Sequence, residues 1–475
     1  MKKMFKLFMC AAVVAAGFTA CSEEVTPIPG PDVNPTETGL LTINFKNPTT
    51  YATDNGTPGE GKLRDVTVFV FNSSGVCEID TLITLAQLEA TNPGDQTPGI
   101  QHKAVNINVK TGFHTVYAGI NLTSGDATKM REILRSANGF NQVVYLGTTD
   151  AQPKFTPNIT EIQKLYVDNE FPMFSADVQS LIIKSVPVGA ANPNQVIIPL
   201  DRMVAKITVR RGADFSNPIN LTVDGATFSA TDLSWDLGNL NGKIYPYGRA
   251  NNNTNDPNYD DAPASLTNQE GLDYRAANFV TTFGTKGSSV VGFTTSVNDN
   301  DVIINNRNAR YAPENNSLTG RGHESTYASI KAKFAPTKVY TYTSGDPEPK
   351  EATGSAPTLS GSETFYVVAY TQTYYFRDPN QANEYKNFLL PKDQSITVKE
   401  YKNQFCFYPL FMGTGETKRN YYYDITLNKF TGLGDPTGEL DEEEGNQTVD
   451  KKGLLDVTIN INPWTIVEEE HPLGK

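Results

Sequence analysis

The chain has 475 residues, which is long enough for two or three domains with buried cores. Its formal net charge of -13 argues against nucleic acid as a partner. The 22 Tyr and 24 Phe residues favour β-structure over helical bundles.

The first residues have the features of a lipoprotein signal peptide, predicted over residues 1–20. Basic residues precede an apolar run that is too short to span a bilayer as a permanent helix. Phe18-Thr19-Ala20-Cys21 then has the form of a lipobox, in which small residues allow cleavage before the modified cysteine. Cys21 is therefore the predicted lipidation site. The alternative is an ordinary secretory signal followed by a chance cysteine.

A tether and a first domain follow in chain order. Residues 21–38 are polar and rich in proline, which predicts an extended tether. The first strand comes next, because Leu41, Ile43 and Phe45 alternate with polar residues. We place the N-terminal domain at residues 39–200.

Several further elements are predicted within this domain. The segment "RDVTVFVFNSSG" indicates a buried strand that ends in a turn, and "KAVNINVKTGFHTVYAGINL" indicates two strands joined through Thr111-Gly112. Asp126–Ser136 has apolar residues at helical spacing, which predicts a short helix. The domain boundary is expected just before Asp201, where a proline-containing connection meets a new strand.

The C-terminal domain is predicted at residues 201–475 and has the same β-rich character with longer loops. Its last strand alternates regularly and then changes register near Asn462-Pro463. The apolar residues of this terminal segment are Leu455, Val457, Ile459, Ile461, Trp464 and Ile466.

No motif in the chain indicates catalysis. The sequence has no HExxH, no GxSxG and no Walker loop, and the acidic run at 441–444 lacks the spacing of a calcium loop. We therefore predict no enzyme activity, no metal site and no cofactor. Cys77 and Cys406 remain after the signal peptide; two buried thiols are favoured, and a disulfide between them stays open.

An ordered set of segments resembles the fimbrillins, the type V pilin subunits of Bacteroidales. The lipobox, "RDVTVFVFN", "FHTVYAGINL" and "DRMVAKITVRR" follow the order of that family. The later segments resemble its Mfa-type major fimbrial subunit branch; they are "ATFSATDLSWDL", "RGHESTYASIKAKFAPTK", "FYPLFMGTGETKRNYYYDITLNKFTGLG" and "LLDVTININPWTIVEEE".

The resemblance implies an all-β fold of two transthyretin-like β-sandwich domains with a few short helices. It also implies assembly by strand exchange, in which a protease removes the first strand and a C-terminal strand of a neighbouring subunit replaces it. Leu41, Ile43 and Phe45 would then form the removable self-strand, and the apolar residues of the terminal segment the donor. The two strands share one alternation, so they can compete for one groove. The alternative is that both are ordinary strands of their own domains.

The expected processing site departs from the family pattern. Tyr51 stands about where the family has a cleaved arginine. Lys46, Lys62 and Arg64 are the basic residues near this position, and Arg64 is the least attractive because cutting there would intrude on the next strand.

The predicted function is a fimbrial shaft subunit that supports adhesion and biofilm formation. Its expected partners are other copies of itself, accessory fimbrial subunits and the outer membrane, through the lipid on Cys21. Host or bacterial surface ligands stay open, and nucleic acid is not expected. The expected location is a surface fimbrium, with an outer-membrane lipoprotein as precursor. The alternatives are a fimbrial tip or anchor subunit and a glycan-binding surface lipoprotein.

Overall fold

The computed structural model shows a chain built mainly of strands, which confirms the predicted all-β class. It describes residues 37–46, 63–91, 104–122, 144–146, 154–155, 171–187, 189–211, 219–223, 226–238, 240–241, 243–244, 279–280, 295–296, 310–316, 322, 325–353, 359, 361–412, 416–438 and 455–463. The predicted signal peptide, most of the tether and the predicted helix at Asp126–Ser136 lie outside these residues.

The strands are numbered in chain order. The first fifteen are β1 (Thr38–Lys46), β2 (Asp65–Asn72), β3 (Cys77–Thr84), β4 (Ala104–Lys110), β5 (Gly112–Ile120), β6 (Val144–Leu146), β7 (Lys154–Phe155), β8 (Met173–Ser175), β9 (Gln179–Ile183), β10 (Gln195–Arg202), β11 (Val204–Arg211), β12 (Ile219–Val223), β13 (Ala226–Gly238), β14 (Leu240–Asn241) and β15 (Lys243–Ile244). The others are β16 (Phe279–Val280), β17 (Thr295–Ser296), β18 (Arg310–Pro313), β19 (Asn315–Asn316), β20 (Tyr327–Pro336), β21 (Tyr340–Thr341), β22 (Lys350–Glu351), β23 (Phe365–Ala369), β24 (Thr373–Phe376), β25 (Val398–Tyr401), β26 (Phe405–Phe411), β27 (Glu416–Thr417), β28 (Tyr421–Phe430) and β29 (Leu455–Pro463). The described helices are α1 (Leu85–Thr91), α2 (Pro379–Leu389) and a 3-10 turn at Lys402–Gln404.

The N-terminal strands form a sheet in the order β3-β2-β5-β8-β10-β1-β4, and β9 pairs with β5. Strand β10 links the part of the sheet that contains β1 and β4 to the part that contains β8, β5, β2 and β3. Its residues 195–199 pair with β1, and its residues 200–202 pair with β8. The inward side chains of both parts share one hydrophobic core, which includes Val68 of β2, Val116 of β5 and Ile198 of β10. The two strands predicted on either side of Thr111-Gly112 are β4 and β5.

Two sheets enclose the main core of the second half. One has the order β18-β11-β28-β29, and the other has the order β12-β13-β20-β26, with β17 paired to β13. Alternate side chains from the two sheets meet in a single cluster, which includes Ile207 of β11, Ile330 of β20 and Ile425 of β28. Trp235 of β13 is fully buried there. This face-to-face arrangement is a β-sandwich.

A smaller sheet, β22-β21-β24-β23-β25, packs against helix α2. The helix begins where Asp378 accepts a hydrogen bond from the Asn380 backbone and Pro379 occupies the first turn. Its buried face carries Tyr385, whose ring lies 5.3 Å from that of Tyr374. Much of the aromatic content of this region is therefore used in packing between sheet and helix.

The expected boundary before Asp201 falls inside β10, which ends at Arg202. Asn420, just before β28, donates to Asp201 at 3.0 Å and accepts from Arg202 at 3.2 Å. Its backbone N–H also donates to the Val204 carbonyl at 2.9 Å. The two halves are thus joined by hydrogen bonds at this point, and the domain limits stay a prediction.

Among the described residues, no helix is both long and apolar enough to cross a membrane. Helices α1 and α2 are short, at 7 and 11 residues.

Candidate strand-exchange site

Strand β1 lies in the interior of the N-terminal sheet, between β4 and β10. It is antiparallel to β4 over Thr38–Asn44 and parallel to β10 over Thr42–Lys46. Both of its edges are therefore hydrogen-bonded to neighbours, which is the position of a central strand rather than of an added edge strand.

The inward side chains of β1 fill part of the N-terminal core. Leu41, Ile43 and Phe45 are 0%, 0% and 3% exposed. Leu41 stands opposite Ile107, and Ile43 stands between Val105 of β4 and Val196 of β10. The predicted self-strand residues are thus all buried. Removing β1 would leave a groove between β4 and β10 with three adjacent apolar positions.

Polar contacts hold the outward face of β1. The Thr42 hydroxyl donates to Asn106 Oδ1 at 2.7 Å and accepts from Asn192 Nδ2 at 3.0 Å. Asn194, which is 1% exposed, donates through Nδ2 to the carbonyls of Leu40 at 3.2 Å and Lys184 at 2.7 Å. These asparagines connect β1 to β4 and to the segment between β9 and β10.

Sequence reasoning did not find these asparagines as part of the site. The only local signal is the Asn192-Pro193-Asn194 segment, in which Asn194 N donates to Asn192 Oδ1 at 3.0 Å, a turn that asparagine favours. Their partners on β1 are distant in sequence, so only the fold brings them together.

Strand β29, the predicted donor, lies at the edge of its sheet and pairs only with β28 in the described part of the chain. Val457 and Ile459 are partly buried against the C-terminal core, and Asp456 and Thr458 are exposed. Asn428 donates to both outward residues, at 3.3 Å to Asp456 and 3.2 Å to Thr458.

The other predicted donor residues are described in part or not at all. Leu455 pairs with Phe430 and Ile461 pairs with Tyr423 in the backbone ladder. Trp464 and Ile466 lie outside the described residues. The structure therefore does not bring the two predicted strands together within one chain.

The candidate processing residues differ in their surroundings. Lys46 ends β1 and is exposed. Arg64 is held more firmly, because its Nε donates to Asp65 at 2.8 Å and its Nη2 donates to the Asn121 carbonyl at 2.8 Å. Lys62 and the lipidation candidate Cys21 lie outside the described residues.

The two thiols lie in different cores. Cys77 packs against the N-terminal core, and its thiol donates to the Ile79 carbonyl at 3.2 Å. Cys406 is fully buried in the C-terminal core, where desolvation raises the pKa of its thiol. This arrangement does not place them in one disulfide.

Within the described ranges, no group of three or more His, Cys, Asp or Glu residues could hold a metal ion. The one histidine within the described residues, His114, is buried and contacts Glu78 at 3.3 Å and the Gly112 carbonyl at 3.0 Å. The expectations of no catalytic residue and no cofactor stay predictions.

Comparison with known proteins adds a family match at the C-terminal end. Residues 399–470 match the family described as major fimbrial subunit protein type IV, fimbrillin, C-terminal. This region runs from within β25 to beyond β29, so it contains the predicted donor strand.

Similar proteins are known from Porphyromonas gingivalis. Over 262 residues, the chain is 29% identical to the minor fimbrium subunit Mfa1, covering 51% of this chain and 50% of the relative. The chain thus spans about half the length of the curated relatives it matches.

Solved structures with some likeness include a fimbrilin, FimA, from P. gingivalis W83, with a TM-score of 0.43 and 14% identity over 90% of this chain and 98% of that one. The tip fimbrial protein Mfa3 from P. gingivalis has a TM-score of 0.33 and 12% identity over 90% of this chain and 100% of that one.

The C-terminal family match and the relatedness to Mfa1 agree with the order of motifs along the sequence. Over residues 399–470 the chain is thus similar to the fimbrillins, and over about half of its length it is similar to a fimbrial subunit.

Proposed function

We propose that this chain is a fimbrial shaft subunit that polymerises by donor-strand exchange. The observation that carries the proposal is a contrast between two strands that share the same alternation of apolar and polar residues. Strand β1 is a buried, central strand of its sheet, whereas β29 is a partly exposed edge strand of another sheet. An edge strand can leave its sheet by breaking one ladder, and it would gain two ladders between β4 and β10.

The energetics favour such an exchange. Fully burying an aliphatic side chain contributes about 1.5–3 kcal/mol, so three inward positions offer roughly 5–9 kcal/mol before entropy costs. Val457 and Ile459 are only partly buried in their own domain, whereas the β1 positions are closed to solvent. A donor strand therefore gains apolar burial as well as hydrogen bonds when it enters the groove.

We propose that the precursor reaches the surface as a lipoprotein anchored through Cys21. Cleavage in the segment between β1 and β2 would cut the covalent link between the anchored β1 and the rest of the subunit, so that an incoming donor strand can replace β1. Lys46 is exposed at the end of β1, and Lys62 is the other candidate. The contacts of Arg64 with Asp65 and Asn121 make it the least favourable of the three sites.

The subunit would then bind further copies of itself and accessory fimbrial subunits, with the assembled fimbrium at the cell surface. The match of residues 399–470 to a major fimbrial subunit family and the similarity to Mfa1 support adhesion as the biological role. A tip subunit would lack either the free donor strand or the removable first strand.

Deletion of Leu454–Lys475 tests the exchange. We expect folded monomers that form no ladders on unboiled gels. The substitution Thr458→Ala is a matched control, because this exposed side chain faces away from the core and should leave polymerisation intact. Ladders from the truncated chain would contradict the proposal.

N-terminal sequencing of surface material tests the processing. We expect assembled fibres to begin after β1, within or shortly beyond residues 47–62. Fibres whose subunits begin at Cys21 would show that β1 stays in place, and the cleavage model would be wrong.

A further inference from the structure

More than one register would let the donor strand keep apolar residues inward. If Leu455 takes the position of Leu41, then Val457 and Ile459 follow at Ile43 and Phe45. If Val457 takes that position instead, Ile459 and Ile461 follow, and Thr458-Ile459-Asn460 overlies the identical Thr42-Ile43-Asn44. Apolar patterning alone does not choose between these two registers, since a two-residue shift keeps each face.

Gly39 of β1 distinguishes the two registers. A Cβ atom added there would lie 2.3 Å from the Lys184 carbonyl oxygen, 2.8 Å from Ile183 Cγ2 and 3.0 Å from Asn194 Nδ2. The first of these distances is far inside van der Waals contact and involves backbone. A side chain at this position therefore requires the end of β9 to move.

The wall around Gly39 is fixed by hydrogen bonds. Asn194 Oδ1 accepts from the Lys184 backbone N–H at 2.9 Å, and Asn194 Nδ2 donates to the Lys184 carbonyl at 2.7 Å. The same amide donates to the Leu40 carbonyl of β1. Since Asn194 is buried, shifting Lys184 would leave these groups without partners in the interior, which is costly.

We propose that the Gly39 position is a glycine-selecting site that fixes the register of the incoming strand, and that Gly453 of the neighbouring subunit occupies it. This inference rests on the proposed strand exchange. Gly453-Leu454-Leu455 repeats Gly39-Leu40-Leu41, so Leu455, Val457 and Ile459 replace the three buried residues of β1.

Shifting the donor strand by two residues in either direction keeps its apolar face inward, but both shifted registers fail at the Gly39 position. The register that overlies Thr458 on Thr42 puts Leu455 at Gly39, where even a Cβ has no space. A shift by two residues in the other direction puts Lys451 at Gly39 and leaves the Leu41 pocket to Gly453. Odd shifts turn the apolar face outward.

The selected register changes one polar contact. Asp456 takes the place of Thr42, between Asn106 and Asn192. A carboxylate accepts hydrogen bonds only, so Asn192 Nδ2 can donate to it as it does to Thr42, and Asn106 must present its NH₂ group. Hydrogen bonds to a charged acceptor are stronger than neutral ones, which favours the exchanged state.

Disulfide trapping tests the register in the full, exported chain. Leu40 stands directly opposite Asn108 on the exposed face of the β1–β4 pair. Residues opposed in this way have Cα atoms about 4.5–5.5 Å apart, within disulfide range. We would combine Asn108→Cys with Leu454→Cys, or with Asp456→Cys, and analyse surface polymers under non-reducing conditions, using the single variants as controls.

We expect covalent ladders from the double variant Asn108→Cys with Leu454→Cys, and none from the double variant Asn108→Cys with Asp456→Cys. Ladders from the second pair alone would overturn the glycine-selected register while leaving strand exchange intact. Polymers without ladders from either pair would also overturn it. A chain whose polymers are unaffected by deletion of Leu454–Lys475 would instead contradict the proposed function.

The variant Gly453→Leu gives an independent readout without added cysteines. We expect it to abolish polymer ladders while the secreted monomer stays folded, because β1 itself occupies the groove between β4 and β10 in the precursor. Lys452→Ala is the matched control and should polymerise normally. Normal ladders from Gly453→Leu would overturn the inference.

Discussion

Arg419 binds both oxygens of the Glu314 carboxylate, through Nε to Oε2 at 2.6 Å and through Nη2 to Oε1. The two side chains are 6% and 4% exposed. They join the residue after β18 to the turn before β28, close to Asp201 at the end of β10. This buried, bidentate pair therefore lies where the two halves of the chain meet.

Breaking this pair should destabilise the protein strongly. Removing one partner of a buried ion pair leaves an uncompensated charge and typically costs about 3–5 kcal/mol. We expect Arg419→Met to lower the free energy of unfolding by that amount, measured by urea denaturation. Glu351→Gln, which breaks the exposed pair with Lys338 at 3.0 Å, should change it little. Equal effects of the two variants would contradict this account.

Asp201 should make stability depend on pH. Burial raises the pKa of its carboxyl, although nearby Arg419 opposes this. The folded state then holds the proton more tightly than the unfolded state does. This tighter proton binding stabilises the folded state. The contribution to stability is complete below about pH 4, the ordinary Asp pKa, and is lost as pH rises through the raised pKa of Asp201.

The variant Asp201→Asn isolates this dependence, because its amide oxygen can still accept from Asn420. Urea midpoints across mildly acidic pH should show the variant gaining stability relative to the wild type as pH rises. A difference that does not change with pH would show that the Asp201 pKa is the same in both states.

Gly39→Ala should affect the precursor and not the fibre. In the uncleaved chain the new methyl group meets the Lys184 carbonyl, and such overpacking costs about 1–3 kcal/mol. Thermal unfolding of the precursor checks this, with the exposed Leu40→Ala as control. Fibres from which β1 has been removed should have wild-type stability, and a loss of stability in both forms would indicate that residue 39 is retained.

The two thiols should differ in reactivity. Thiolate is the reactive form, and burial raises the pKa of Cys406 while enclosing it in the C-terminal core. Alkylation of the native protein, followed by mass spectrometry, should modify Cys77 well before Cys406. Labelling of Cys406 should require denaturant. Equal rates in the native protein would indicate that the C-terminal core opens readily.

The strands with regular alternation were predictable, because a period of two residues is a local property. Leu41, Ile43 and Phe45 are buried as their pattern predicts. Helix α2 was not predicted, although Asp378-Pro379 is a helix start signal, because its buried residues are few and lie in an otherwise polar segment.

The asparagines around β1 show the limit of sequence reasoning at the site. Asn194 touches Leu40 only because β10 returns to lie beside β1. The need for glycine at position 39 likewise arises from the end of β9. Long-range packing sets both features, and no local pattern records it.

The central position of β1 has a consequence for the timing of assembly. A strand bonded along both edges stays in place after its connection to the next strand is cut, since the cut removes none of its ladder bonds or buried contacts. We therefore expect a nicked subunit to remain intact and on its anchor until a neighbour arrives. Proteolysis would then prepare the subunit for strand exchange without itself releasing it. Each arriving subunit would release from the membrane the subunit that it joins.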